Sequence, residues 1–126
     1  MGLDMYLEGH KYLCGNYNNP EDGFRLKGKI LELGYWRKHP DLHGYIVNTF
    51  ASGKDNCQDI ELGLYSLENI LQAIKDDKLP FTEGFFFGKS LPEDGQSSMT
   101  IIKNAINWLA TEEDGTVRYV IYRASW

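Results

Sequence analysis

The sequence is short of cysteine, of long apolar runs and of positive charge, and each shortage excludes a class of protein. Its two cysteines, Cys14 and Cys57, stand far apart with no C-x-x-C and no histidine at finger spacing. Neither a disulfide framework nor a zinc finger is written in such spacing, and two reduced thiols in a cytoplasmic protein are expected. No window approaches the roughly 18 apolar residues of a spanning helix, and Met1-Gly2-Leu3-Asp4-Met5-Tyr6 lacks the apolar stretch of a signal peptide. A membrane partner is therefore not expected. Lys and Arg number 13 against 18 Asp and Glu, a net charge of -5. A general duplex-DNA binder needs a cationic face to displace counterions, so that class is excluded too.

Nucleotide motifs are missing as well. There is no G-x-x-x-x-G-K-[ST] and no G-x-G-x-x-G between a strand and a helix. Gly84 and Gly88 flank Phe85-Phe86-Phe87, which reads as a short strand buried on both faces and not as a phosphate cradle. No cofactor is implied. What remains is a chain of 126 residues, 42% hydrophobic and 25% charged, enough for one unstapled core spanning residues 1–126.

Periodicity supplies the elements. Leu3, Met5 and Leu7 alternate with Asp4, Tyr6 and Glu8, the period of a half-buried strand. His10 to Gly23 reads as irregular, dense in turn formers from Asn16 onward. Leu26 to Trp36 reads as a second strand with Leu31, Leu33 and Tyr35 on one face; Ile30, Leu31 and Leu33 also allow a helical stripe, but Gly28 and Gly34 favour the strand. Pro40 opens a helix with Leu42, Ile46, Val47 and Phe50 as its stripe, and Gly53 closes it. A short strand at Ile60 to Leu64 precedes a helix capped by Ser66, with Leu67, Ile70, Leu71 and Ile74 inward. Ser97 or Ser98 caps a third helix carrying Ile101, Ile102, Ala105, Ile106 and Leu109. Thr116 to Ala124 is the last strand, with Val117, Tyr119 and Ile121 facing one way. The order predicts a single α+β domain: about five strands in a mostly antiparallel or mixed sheet, with about three helices packed on it.

The densest polar text is Tyr35-Trp36-Arg37-Lys38-His39-Pro40-Asp41-Leu42-His43. Trp offers a flat stacking surface, and Arg and Lys bind phosphate or carboxylate. Tyr35, Trp36, Arg37, Lys38 and His43 are therefore the candidate binding residues, for a host or defence protein or for a small anionic, nucleotide-like ligand. His39 and His43 are spaced i, i+4, yet a third metal ligand is missing, and no metal site is assigned. Cys57 is a candidate thiol nucleophile if the fold brings His43 to it as base. The acidic residues show no pairing that marks a glycosidase.

Met1-Gly2-Leu3-Asp4-Met5-Tyr6-Leu7, Tyr35-Trp36-Arg37-Lys38, His43, Asp55-x-Cys57, Gly84-Phe85-Phe86-Phe87-Gly88 and Ser125-Trp126 together resemble a family of small, uncharacterised phage and prophage proteins. The resemblance runs end to end, although His39-Pro40 stands where relatives usually show Ala-Asn. Some members carry the label phosphoglycerate kinase, which the missing phosphate loop and the size of this chain argue against. The resemblance implies a phage accessory protein in the host cytoplasm that acts without catalysis. Its expected role is that of an inhibitor binding a host factor or a defence complex, in the manner of an anti-CRISPR. A nucleotide-like small-molecule binder is the alternative, and a Cys57/His43 enzyme the third.

Overall fold

A computed structural model describes residues 2–14, 20–83 and 88–126. Along the chain run β1 (Asp4–Leu13), β2 (Pro20–Glu21), β3 (Phe24–Arg25), β4 (Gly28–Arg37), α1 (Pro40–Phe50), β5 (Ile60–Leu62), α2 (Leu64–Lys75), α3 (Asp94–Ala110) and β6 (Thr116–Ser125). Four strands form one sheet in the order β4-β1-β6-β5, and every pairing in it is antiparallel. The expected α+β class is what the chain adopts. The expected fifth strand, Phe85 to Phe87, lies outside the described residues. No described helix is long and apolar enough to cross a membrane.

The helices cover one side of the sheet. Leu3, Met5 and Leu7 of the first strand and its lead-in are fully buried, as their alternation predicts. They join Trp36, Ile60, Leu62, Val120, Tyr122 and Ala124 from the other strands. Above them sit Leu42, Ile46 and Val47 of α1, Leu67 and Ile70 of α2, and Ile102 and Ala105 of α3. The helix stripes are the expected ones, with Leu71, Ile74, Ile101, Ile106 and Leu109 packed around that centre. Two glycines let α3 lie close to the strands. A Cβ on Gly9 would meet the Trp108 ring at 2.9 Å, and one on Gly34 would collide with Ile101.

Several local expectations are corrected. β1 does not stop near Leu7 but continues through His10 to Leu13, paired on both sides. The turn-rich text beyond it contains a small ribbon, β2 against β3, around Asp22 and Gly23. Both turn residues have positive φ, 52° and 83°, as a two-residue hairpin with the twist of its strands requires. In β4 the register slips opposite Leu7 and Glu8, so that Leu7 faces Gly34 while Glu8 faces Glu32. Leu33 is the extra residue of this bulge. The slip sets Trp36 inward and Tyr35 outward, at 42% exposure, and so separates Tyr35 from Leu31, which lies opposite Gly9 on the helix side of the sheet at 39% exposure. Val117, Tyr119 and Ile121 do share a face, but it is the one away from the helices.

The helix starts differ as well. α2 begins at Leu64 with Gly63 as its cap, so Ser66 already lies in the first turn. α3 begins at Asp94, whose carboxylate accepts the Leu91 N–H at 2.6 Å. Ser97 and Ser98 are thus interior to the helix, and Ser98 is fully buried. α1 starts at Pro40 as expected, but its free end is closed from outside: the Ser90 hydroxyl accepts the Asp41 N–H at 3.1 Å.

Candidate functional site

The Tyr35–His43 block straddles the sheet instead of forming one patch. Successive residues of a strand point to opposite faces, and β4 ends at Arg37. Trp36 is 5% exposed, and its indole N–H donates to the Ser98 hydroxyl at 2.8 Å. It is a core residue with a satisfied donor, so the expected stacking role is overturned. Tyr35 and Arg37 point the other way. The Tyr35 hydroxyl donates to Asp4 at 2.6 Å, which pushes the phenol pKa up, and Arg37 lies 3.7 Å from the same carboxylate. Lys38 turns the chain with φ of 59°, its backbone N–H donating to Leu3 and its side chain lying over Gly88.

His43 is also internal, at 2% exposure. Burial pushes the Tyr122 phenol well up, with the Asp55 charge adding to it, so the hydroxyl keeps its proton. That hydroxyl donates to His43 Nδ1 at 2.6 Å, and Nε2–H donates to the Asp55 carboxylate, 3.0 Å from each oxygen. The Trp126 ring packs edge-on at 5.8 Å. The cluster ties α1, β6 and the 51–59 loop together through one imidazole. Both ring nitrogens are spoken for by Tyr122 and Asp55, which overturns His43 as an exposed binding residue and as a base for the Cys57 thiol. Cys57 itself is exposed, in a left-handed turn with φ of 60°, and Cys14 is half-buried; both are free thiols.

His39 and His43, one turn apart, share no ligand. His39 Nδ1 lies 2.7 Å from the Ser90 hydroxyl, and burial lowers its pKa against the pull of Asp94 and Asp41. Among the described residues, no group of three metal-ligating side chains converges.

The uncovered side of the sheet carries the exposed chemistry. Across it the rows run Arg37–Asp4–Ser125, Tyr35–Tyr6–Arg123, Glu32–Glu8–Ile121–Glu61, Ile30–His10–Tyr119 and Gly28–Tyr12–Val117. The Tyr6 and Tyr35 rings are tilted together at 5.2 Å, and His10 stacks on Tyr119 at 5.0 Å. Arg123 forms a two-pronged bond to Asp59 at 2.7 and 3.1 Å and reaches Glu8 at 3.7 Å. That guanidinium holds the Asp59 carboxyl below its usual range. Asp4, Glu8, Glu32, Glu61 and Asp59 thus face Arg37 and Arg123, leaving the central rows acidic. Of the expected binding residues, Tyr35 and Arg37 belong to this surface. Nothing in the linear text joins them to Tyr6, Tyr119 or Glu61, because that grouping exists only through strand pairing. Period-two alternation of aromatics with core positions in β1 and β6 was the available signal.

Compared with known proteins, the chain matches no family model, no curated protein and no solved structure.

Proposed function

We propose that the protein acts by stoichiometric binding and not by turnover, as a phage-type accessory protein that inhibits a host factor or defence complex. The contact surface in this reading is the uncovered face of the sheet, and its partner surface is basic. The observation that carries it is the combination on that face of tyrosine rings with five carboxylates against two guanidiniums. Tyr and Arg are residue types that dominate interface energetics, and an acidic aromatic floor complements a basic groove of the kind that holds nucleic acid. Commitment of both His43 nitrogens to structural partners weighs against the Cys57/His43 enzyme.

The test uses the purified protein as bait in host lysate, beside a variant carrying Glu32→Lys and Glu61→Lys. Both glutamates are exposed, so the variant is expected to fold, which its melting temperature checks. The expected result is a partner retained near one-to-one by the parent, released by raised salt and lost by the variant. Equal retention by both proteins overturns the assignment of the face.

A further inference from the structure

On the uncovered face the chain already seats two guanidiniums of its own. Arg37 lies 3.7 Å from Asp4 and two residues along β4 from Tyr35. Arg123 grips Asp59 with two prongs, reaches Glu8 at 3.7 Å and stands directly opposite Tyr6. Each therefore pairs with a carboxylate beside a tyrosine. Two glutamates of the same face are left over. Glu32 and Glu61 are exposed, and among the described residues neither forms an ion pair or a side-chain hydrogen bond.

The two occupy the ends of one cross-strand row, Glu32–Glu8–Ile121–Glu61, which runs from edge strand β4 to edge strand β5. Three strand spacings separate them, about 14 Å. Glu32 stands directly opposite Glu8, and like charges so placed repel, a cost that an incoming cation removes. Tyr6 and Tyr35 form the adjoining row beside Glu32, and Tyr119 lies diagonal to Glu61. Between the glutamates the row is apolar at Ile121, which is half-buried. Each leftover carboxylate thus repeats the setting of Arg37 and Arg123, acid beside ring, without the guanidinium.

We propose that the partner fills these two seats with arginines, from an extended segment carrying Arg at positions i and i+4 and an apolar residue at i+2. The proposal rests on the docking reading and names the partner chemistry of that same face. A guanidinium can bond a carboxylate with its edge while its plane lies on a ring; an ammonium does not combine the two. An extended segment rises about 3.3 Å per residue and points alternate residues the same way, so i and i+4 stand about 13 Å apart. That span matches the two glutamates, and the residue at i+2 falls near the middle of the row, beside Ile121.

Capped pentapeptides titrated into the whole protein, followed by its amide NMR shifts, test the proposal. The probes are Arg-Ser-Leu-Ser-Arg, its analogue Lys-Ser-Leu-Ser-Lys and the isomer Arg-Arg-Ser-Leu-Ser, all of equal charge. The first is expected to move resonances around Glu32, Ile121 and Glu61, with the other two each weaker by about fivefold or more. Glu32→Gln and Glu61→Gln are each expected to weaken the first peptide by about fivefold while leaving the melting temperature in place. Tyr119→Leu is expected to shrink its advantage over the lysine analogue. Equal binding of the lysine analogue overturns the arginine seats, and equal binding of the isomer overturns their spacing. Absence of shifts on this face at millimolar peptide, or affinity unchanged by both glutamine substitutions, overturns the proposal as a whole. The docking reading is judged separately, by lysate capture: loss in the Glu32→Lys, Glu61→Lys variant leaves it in force even when the peptides fail, and capture kept by that variant removes it.

Discussion

The two faces of one sheet have been put to opposite uses. Toward the helices, Met5, Leu7, Val120 and Tyr122 are fully or almost fully buried. Toward solvent, their immediate neighbours Tyr6, Glu8, Tyr119 and Arg123 make a surface of rings and ion pairs. A strand alternates faces residue by residue, so stability and recognition are interleaved in the same ten-residue segments. The lesson is that adjacent substitutions in β1 or β6 should report on different properties. The contrast fails if they do not.

Leu7→Ala is the largest expected effect. It removes a fully buried side chain from the centre of the sheet, and such truncations cost about 2–5 kcal/mol, a large part of a small domain's stability. Ile30→Ala, on the other face at 66% exposure, should change stability by no more than about 0.5 kcal/mol. Urea midpoints measure both. Equal midpoints would mean that the helices do not seal the face assigned to them.

Ser98→Ala comes next. It leaves the buried Trp36 indole N–H without its acceptor, a desolvation penalty of about 1–3 kcal/mol. Ser98→Thr, which keeps the hydroxyl, separates the hydrogen bond from simple packing. A denaturant midpoint for Ser98→Ala equal to the parent's would show that Trp36 is not held as described.

That pair also marks where the sequence stopped being readable. Leu3, Met5, Leu7, Leu67 and Ile70 were legible because burial of one face imposes a period that survives in the text. Trp36 was not, because its inward turn depends on the register slip opposite Leu7 and Glu8, which leaves no local pattern beyond a glycine. Ser98 looked like a cap because serine favours caps, and its true partner lies 62 residues away. His43 looked exposed and reactive for the same reason: its partners, Tyr122 and Asp55, arrive from a distant strand and a loop. Donors and acceptors can be read from a sequence. Their burial cannot.

A smaller effect should appear on acidification. His39 is buried against Ser90, and burial lowers its pKa below the ordinary 6.5 despite Asp94 and Asp41. Its neutral form is therefore favoured by folding. As pH falls below about 6.5 the unfolded chain takes up this proton and the folded chain does not, so stability drops until the lower folded pKa is passed. Denaturant midpoints at pH 7.5 and 5.5 should differ more in the parent than in His39→Asn. An equal difference in the two proteins would remove His39 from the account.

The smallest effect on stability, and the largest on binding, is expected at the corner where the Tyr35–Arg37 segment meets Asp4. Arg37 has 58% of its side chain exposed, and its ion pair to Asp4 is long at 3.7 Å. Exposed pairs of that kind contribute little to folding, about 0–1 kcal/mol. In a partner interface the same guanidinium meets desolvated groups, where truncation of Arg often costs at least about 2 kcal/mol. Arg37→Ala should therefore melt with the parent yet weaken partner capture by roughly thirtyfold. Cys57→Ser should leave capture intact, since the thiol is exposed on a separate loop and binding requires no nucleophile. Lys38→Ala supplies the internal contrast: its side chain lies over Gly88 and not on the uncovered face, so its effect on capture should be smaller than that of Arg37. If Cys57→Ser abolishes activity in a protein that still melts normally while Arg37→Ala does nothing, the uncovered face is not the working surface. The chemistry then belongs to the loop that carries Asp55 and Cys57.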